Sequence, residues 1–161
     1  MPNELNVEQK QAWITFVVAH AVLTRQIDKL LLSKGLPGLD VYAVLLTLED
    51  AEGGRLRMSD LADQIMLSRS GITRLVDRLE RDGLLQRHNC PADRRATYAM
   101  ITDEGRRLRE EMWPVYRQGI AEHFATKMNC EEAAVLSSVF LRILEGHPPD
   151  LLHGMPEQCG A

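Results

Sequence analysis

Five polar residues between positions 69 and 78 share one face of a predicted helix. They are Arg69, Ser70, Thr73, Arg74 and Arg78. Spacings of three and four residues align their side chains in one stripe, opposite the apolar residues of the same segment. Guanidinium groups make two-point contacts with phosphates and guanine edges, and the free amides at a helix start favour a phosphate. The stripe is therefore typical of a helix that binds the major groove of DNA.

Two small residues lie near the start of this helix. Ser68 is predicted to cap it, because a serine oxygen can accept a hydrogen bond from a free amide of the first turn. Gly71 lowers helix stability by about 1 kcal/mol relative to alanine. It either packs closely against the preceding helix or lets the backbone approach a base pair, and both explanations stay open.

A second basic group, Asp93-Arg94-Arg95, lies in the loop of a predicted β-hairpin. One interpretation is a solvated surface ion pair, which contributes little energy. The other is an arginine inserted into the minor groove, where the negative potential of DNA is concentrated. The position of the group, in a hairpin that directly follows the basic helix, favours the second interpretation.

Charge is distributed unevenly along the 161 residues. The formal net charge of the whole chain is −4. Between Arg55 and Arg107, however, eleven arginines stand against eight acidic residues, a net charge of +3, so the remainder of the chain carries −7. The basic excess coincides with the predicted helix and hairpin. An acidic total therefore does not exclude DNA as a partner, because the local field governs binding.

Apolar periodicity and turn residues place these groups on a definite set of elements. Helices are predicted over residues 6–34, 41–51, 60–65, 68–82, 103–127 and 129–145. Strands are predicted over 84–88 and 96–101, with a stub at 55–58. The intervening residues 89–95 are predicted to form a loop longer than a two-residue turn.

Side chains that can cap helices mark several of these starts. The predicted caps are Asp40, Ser59, Ser68, Thr102 and Asn129, the last paired with Glu132 in a capping box. The predicted buried face of the basic helix is Ile72, Leu75, Val76 and Leu79. Gly83 is expected to end that helix in a left-handed conformation.

These elements together predict a mainly α fold with a small β-hairpin wing. The length fits one domain, or one domain with appended helices. A winged helix-turn-helix is predicted at 40–101, with long helices on either side at 6–34 and 103–146. Residues 147–161, rich in proline, glycine and polar residues, are predicted to form a loose tail.

The segment from Ser68 to Leu85, followed by Arg87, the Asp93-Arg94-Arg95 group and the stretch from Ile101 to Gly105, resembles the MarR family of winged-helix transcriptional regulators. The order of helices is similar over roughly residues 6–146. The resemblance implies an obligate homodimer, in which the helices at 6–34 and 103–146 interlock as a dimer base. Two basic helices about 34–36 Å apart, one turn of DNA, would then read a pseudo-palindromic operator in double-stranded DNA.

The resemblance also implies a role for each basic residue. Ser70, Gly71, Thr73 and Arg74 approach bases or phosphates in the major groove, and Arg78 supports or contacts the backbone. In the wing, Arg95 enters the minor groove, Asp93 orients it, and Arg94 lies nearer the phosphates.

A small aromatic or lipophilic effector, bound between the dimer base and the DNA-binding lobe, is a further implication of the resemblance. Its binding would release a repressor from DNA. The candidate lining residues are Trp13, Phe16, His20, Tyr42, Trp113 and Tyr116. Each also suits an ordinary core position.

Two alternative functions stay open. Cys90 lies in the wing among arginines, and cationic neighbours favour a reactive thiolate, so the chain could be a redox-responsive regulator of the same fold. A winged helix used only for protein contact is the other alternative. It predicts an apolar or mixed outer face on the helix at 68–82, where this sequence has arginine, serine and threonine.

Missing patterns exclude other classes. Nucleophile-elbow, phosphate-loop and zinc-protease motifs are absent, so no enzyme is expected. The three cysteines and five histidines show no ligand spacing, so neither a metal nor a cofactor is expected. No apolar run approaches the roughly 20 residues of a membrane span, and the first ten residues do not resemble a signal peptide. A reducing, cytoplasmic location is the expectation.

Overall fold

The computed structural model describes residues 4–65, 69–90 and 93–146. Within them the chain forms six helices and one three-stranded antiparallel sheet. The helices are α1 (Val7–Ser33), α2 (Leu39–Asp50), α3 (Met58–Ile65), α4 (Arg69–Arg81), α5 (Asp103–His123) and α6 (Cys130–Leu144). The strands are β1 (Arg55–Arg57), β2 (Leu85–Cys90) and β3 (Asp93–Ile101), in the order β1-β3-β2. The predicted fold class is confirmed.

Local capping rules account for two of the predicted helix starts. The Thr102 hydroxyl accepts a hydrogen bond from the Gly105 amide at 3.1 Å and so caps α5. Asn129 and Glu132 form the predicted capping box at the start of α6, with hydrogen bonds of 2.9 and 2.8 Å. Each satisfies amides that have no partner within the helix.

Two predicted caps are wrong. Helix α2 begins at Leu39 with Gly38 as its N-cap, so Asp40 lies inside the first turn, where its carboxylate accepts a hydrogen bond from the Val41 amide at 2.9 Å. The Leu39 amide instead donates to a carboxylate oxygen of Asp28 at 2.8 Å, because α1 supplies the acceptor from eleven residues away. Helix α3 begins at Met58, so Ser59 also lies inside its helix. The predicted cap at Ser68 lies outside the described residues.

The predicted loop at 89–95 is also wrong. Strand β2 continues to Cys90 and β3 begins at Asp93, which leaves only residues 91 and 92 between them. Backbone pairing extends through Asn89 and Thr97, with an irregular register between Asn89 and Cys90. The polar residues here lack the alternation that marks a strand, so the sequence pattern ends before the hydrogen-bonded ladder does. The tail predicted at 147–161 lies outside the described residues.

Two apolar clusters hold the elements together. The larger cluster lies between α2, α3, α4 and the sheet, and it includes the four predicted residues Ile72, Leu75, Val76 and Leu79, all of them buried. The smaller cluster joins α1, α2 and α5 through Ile27, Leu31, Leu36, Tyr42 and Met112. Helices α1 and α5 are therefore packed onto the central lobe.

Much of α1 and α6 is left uncovered in the single chain. Every residue from Val7 to Val22 is exposed, and the buried residues of α1 are Ile27 and Leu31. None of the residues of α6 is buried. The exposed residues include Ile14, at 56% exposure. No helix in the described ranges has both the length and the apolar content to cross a membrane.

A close contact at Gly105 seats α5 on the central lobe. The residue is buried, and an added Cβ would meet the backbone carbonyl oxygen of Leu84 and lie 2.9 Å from Cγ1 of Ile101. The Leu84 carbonyl already accepts a hydrogen bond from the Thr102 amide at 3.2 Å. Since that oxygen is held by backbone pairing, only glycine fits at position 105.

We expect Gly105→Ala to lower the free energy of unfolding by about 1–3 kcal/mol, the usual effect of overpacking. Helix propensity alone would act in the opposite direction by about 1 kcal/mol. Urea unfolding at one fixed protein concentration measures the change. Gly119→Ala in the same helix is the matched control, because the nearest atoms to its added Cβ belong to the side chains of Ile27 and Leu30, at 3.1 to 3.4 Å, and not to the backbone. A stabilised Gly105→Ala variant would contradict the packing argument.

Candidate nucleic-acid interface

Helix α4 has one buried face and one polar exposed face. Ile72, Leu75, Val76 and Leu79 are buried, whereas Ser70, Thr73, Arg74, Asp77 and Arg78 are exposed. The predicted stripe is therefore on the surface of the chain. Arg69 begins the helix, but its side chain lies outside the described part. Gly71 is half-buried, and its two explanations remain untested.

The end of α4 directs the chain into the wing. Gly83 has a φ of 75°, as expected for a left-handed helix end. The Leu84 amide donates to the Leu79 carbonyl at 2.9 Å and the Gly83 amide to the Glu80 carbonyl at 3.0 Å, the pattern of a Schellman motif. The Thr102 hydroxyl donates to the Gly83 carbonyl at 2.7 Å. Strand β2 therefore starts immediately beside α4.

Arg87 then fastens β2 to the helix. Its guanidinium group lies 2.6 Å from an Asp77 carboxylate oxygen and 2.8 Å from one of Glu80, and it donates to the Thr73 carbonyl at 3.4 Å. The Arg87 amide also donates to Glu80, at 3.0 Å. Partial burial by itself lowers the pKa of Arg87, but the hydrogen bonds that its guanidinium group donates to Asp77 and Glu80, together with their negative charge, raise it overall. The guanidinium group thus stays charged and compensates one of the two carboxylate charges near the basic face.

Sequence reasoning placed Arg87 within the resemblance but assigned it no role. Its partners lie seven to fourteen residues away on another element. The spacing of Asp77 and Glu80, on one side of a helix that leads directly into the strand, is the signal that could have indicated the contact.

A cleft of about 810 Å³ lies between α4 and the wing. Its wall includes Ser59, Thr73, Arg87, Asn89 and Thr97. Hydroxyl, amide and guanidinium groups therefore line the concave surface that both predicted DNA-contacting elements border, together with the Asp77 carboxylate that Arg87 binds. The hydroxyl, amide and guanidinium groups are donors of the kind that contact phosphates.

Arg74 and Arg78 differ in how they are held. The Arg74 side chain donates to the Ser70 carbonyl of its own helix at 3.3 Å. Arg78 lies 3.1 Å from a carboxylate oxygen of Asp40 on α2, and both side chains are 51% exposed. An exposed pair of this kind contributes little to stability, so Arg78 can exchange Asp40 for another anion at small cost.

The residues at the tip of the wing are described only through their backbone. Asp93, Arg94 and Arg95 form the start of β3 rather than a loop. Their side chains, and that of Cys90 at the end of β2, lie outside the described part. The minor-groove and redox assignments therefore remain predictions.

The six candidate effector residues form two separate groups of ring contacts. The Tyr42 and Tyr116 ring centroids are 4.7 Å apart, and those of Trp113 and Tyr116 are 6.1 Å apart. On α1, Phe16 lies 6.2 Å from Trp13, 6.3 Å from His20 and 5.4 Å from Phe140 of α6. Tyr42 is buried, whereas Trp13 is 63% exposed.

Tyr42, in the first of these groups, borders an ion pair between α2 and α5. Arg109 lies 2.5 Å from a carboxylate oxygen of Glu49, and Arg106 lies 3.6 Å from the other. Burial raises the pKa of the Tyr116 hydroxyl. It also raises that of Tyr42, and the nearby Arg109 offsets this only in part. Both phenols are therefore neutral hydrogen-bonding groups at physiological pH.

Within 4–65, 69–90 and 93–146, no three histidine, cysteine or acidic side chains cluster as metal ligands. The functional geometry is instead a polar helix face with a hairpin fastened beside it. This arrangement defines the class: a winged helix-turn-helix, with α3 and α4 as the helix-turn-helix and β2–β3 as the wing.

Comparisons with known proteins identify the family. The model of the MarR family matches residues 34–96. AbsC, a MarR family transcriptional regulator from Streptomyces coelicolor, is 31% identical in a structural alignment that covers 89% of this chain and 96% of AbsC, with a TM-score of 0.77. The chain belongs to the MarR family of transcriptional regulators, and is not an enzyme.

Two further relatives extend the comparison. Sco3205 from Streptomyces coelicolor, a MarR family regulator solved in complex with DNA, is 26% identical over 95% of this chain and 96% of Sco3205, with a TM-score of 0.81. Transcriptional repressor MprA of Escherichia coli K12 is 30% identical over 87 residues, 54% of this chain and 49% of MprA. The chain spans about half the length of the curated relatives it matches.

We expect Arg87→Met to lower the free energy of unfolding by about 1–3 kcal/mol, since it leaves Asp77 and Glu80 without their charged partner. Chemical denaturation measures the effect. Arg107→Met is the matched control, because Arg107 is 70% exposed and pairs with Glu104 one turn away in its own helix. Equal losses for the two variants would show that Arg87 does not fasten the wing.

Proposed function

We propose that this MarR family regulator is a homodimer that binds a pseudo-palindromic operator in double-stranded DNA, represses transcription and is released by a small-molecule effector. The observation that carries the proposal is the exposed polar face of α4 beside a wing that Arg87 fastens to it. A winged helix used only for protein contact would favour an apolar outer face, and α4 has serine, threonine and arginine there.

The assignment of contacts follows the geometry of α4. Ser70, Thr73 and Arg74 are exposed on the face that would enter the major groove, with Gly71 allowing close approach. Arg78, near the end of the helix, would exchange Asp40 for a phosphate. Ser68 and Arg69 at the start of the helix, and Asp93, Arg94 and Arg95 in the wing, complete the proposed interface.

Homodimer formation is supported by the uncovered apolar side chains of α1 and α6. Val7, Trp13, Ile14 and Val18 on α1, and Ile143 on α6, are each more than half exposed. Large apolar side chains that are left exposed in this way favour burial against a partner. Twofold pairing through this surface would set the distance between the two α4 helices.

Repression and release by an effector are the remaining parts of the proposal. The repressor name of MprA supports repression. The ring cluster of Tyr42, Trp113 and Tyr116 supports an aromatic or lipophilic ligand, because it lies where α2 of the DNA-binding lobe meets α5. Trp13, Phe16 and His20 form a separate group on α1. We propose that this group would contact such a ligand only if the partner subunit of the dimer supplied it.

Arg74→Ala tests base recognition. The operator is first obtained by selecting bound fragments from genomic DNA. We expect the variant to lose about 1–3 kcal/mol of binding free energy on that operator and less on random DNA, because a base contact carries sequence information. Fluorescence anisotropy at fixed salt measures both. Arg107→Ala removes the same charge outside α4 and serves as the control. Equal losses on the two DNAs would reassign Arg74 to phosphate contact.

Ile14→Glu tests the dimer. A carboxylate in the centre of the proposed apolar interface should yield a monomer by light scattering. It should also weaken binding to an operator with two half-sites at least about 100-fold, because the two contacts are no longer linked. Gln26→Glu adds the same charge at an exposed position of the same helix. A dimeric Ile14→Glu protein with native affinity would refute this interface.

A further inference from the structure

Helix α1 supplies the acceptor for the first amide of α2. The Leu39 amide donates to Oδ1 of Asp28 at 2.8 Å, across the short connection at 34–38. Gly38, the N-cap of α2, has no side chain to accept that bond. The contact is charge-assisted, because a carboxylate at a helix start is stabilised by the free amides and the helix dipole. Asp28 therefore joins the last turns of α1 to the first turn of α2.

The lack of a side chain at Gly38 gives the Asp28 carboxylate its space. A Cβ added at Gly38 would lie 2.7 Å from Oδ1 of Asp28 and 3.1 Å from Oδ1 of Asp40. The φ of Gly38 is −74°, which other residues also adopt, so the backbone conformation does not require glycine. The fit of the Asp28 carboxylate does. The start of α2 is therefore built closely around this one hydrogen bond.

This bond connects two parts of the chain that have different proposed roles. Val44 and Leu48 of α2 are buried in the same cluster as Val76 and Leu79 of α4, so close packing holds α2 and α4 together. Helix α1 instead carries the exposed apolar side chains of the proposed dimer base. Across 4–65, 69–90 and 93–146, the bond from Asp28 is the one side-chain hydrogen bond that joins α1 to another helix.

Apolar packing also holds α1 in place, but it restricts the helix angle less. Ile27 and Leu31 pack with Tyr42 of α2, and Gly119 of α5 lies against Ile27. Burial of apolar surface is not directional. A hydrogen bond, by contrast, weakens steeply when its angle or its length changes. Asp28 therefore limits the angle between α1 and α2, and with it the direction in which α4 projects from the proposed dimer base.

We propose that Asp28 is a positioning residue that sets the separation of the two half-sites that the dimer accepts. This inference rests on the dimer and the operator binding proposed above. Each base pair inserted between the half-sites moves them about 3.4 Å further apart and rotates them by about a tenth of a turn. A lobe held at a fixed angle discriminates against that change, whereas a lobe that pivots on α1 tolerates it.

Three operators test the inference: the selected one, and versions with one base pair added or removed between the half-sites. We expect the native protein to bind the altered operators at least about tenfold more weakly, because both lobes no longer engage at once. Asp28→Ala should bind the selected operator more weakly, since its lobes are less preorganised. Its penalty on the altered operators should be at least about threefold smaller than that of the native protein. Fluorescence anisotropy at fixed salt measures each affinity.

A duplex with a single half-site separates positioning from damage to the lobe. Asp28 lies on α1, outside α4 and the wing, so Asp28→Ala should bind one half-site with native affinity. A variant with a damaged lobe would instead bind every duplex more weakly by the same factor, which would overturn the inference. Circular dichroism and light scattering verify that each variant is folded and dimeric.

Two further variants isolate the hydrogen bond. Asp28→Asn removes the charge but keeps an oxygen acceptor, and should retain the native discrimination between spacings. Gly38→Ala keeps Asp28 but displaces its carboxylate, and should lose discrimination as Asp28→Ala does. Gly38→Ala also provides the test if Asp28→Ala does not fold.

The outcomes distinguish this inference from the proposed function. If the native protein binds the operator and folded Asp28→Ala keeps the native discrimination, the role of Asp28 is refuted while DNA binding stands. A native protein that binds all three spacings equally would also refute it. If the native protein binds neither the operator nor the half-site, the proposed function fails, and the role of Asp28 fails with it.

Discussion

The DNA-binding lobe depends on the contact between Arg87 and the last turns of α4. Helix α4 and the β2–β3 hairpin can bind one duplex together only if the distance between them is fixed. Apolar packing fixes that distance only at the base of the wing. Arg87 extends that constraint beyond the core by binding Asp77, Glu80 and the Thr73 carbonyl. The same contact compensates one of the two carboxylate charges on the surface that would face phosphates. One side chain thus contributes both rigidity and a suitable electrostatic field.

The positions of the ion pairs, and not only the net charge, determine which surfaces of this chain are basic. Arg78 on α4 is paired with Asp40 on α2, and Arg106 and Arg109 on α5 are paired with Glu49 on α2. Helix α2 therefore carries one carboxylate that pairs within the lobe, Asp40, and one that connects the lobe to α5, Glu49. Arg55 lies apart from these pairs, on the sheet, where its guanidinium group lies over the Tyr98 ring. This distribution explains how an acidic protein can present a cationic lobe.

Local rules predicted most of the fold, and failures occurred where distant residues intervened. The buried face of α4, the left-handed Gly83 and the Thr102 cap depend on residues within one or two turns, and all three are confirmed. The Asp40 cap is wrong because Asp28, on another helix, occupies its role. Strand pairing lengthened the wing beyond its apolar pattern.

The candidate site likewise combines features that follow from local sequence with contacts that depend on distant residues. Exposure of Ser70, Thr73, Arg74 and Arg78 follows from helical spacing and could be predicted. The partners of Arg87 could not, because they depend on how the chain turns after Gly83. The contact between Arg57 and Tyr98 joins residues 41 positions apart through strand register, which no sequence spacing reveals. The candidate aromatic residues form two groups because α1 and α5 face different neighbours.

The exposed first half of α1 bears on how long a newly made chain survives in a cell. A helical segment with few tertiary contacts is marginally stable in water. In a single chain the exposed segment from Val7 to Val22 would therefore unfold locally and become a site of proteolysis. Binding of a second copy would protect this segment, since a partner that binds only the folded form stabilises it. Unassembled copies would then be cleared faster than assembled ones. When synthesis is slow, the concentration is low and fewer copies associate. Degradation of the unassembled copies would then keep the amount of this regulator low.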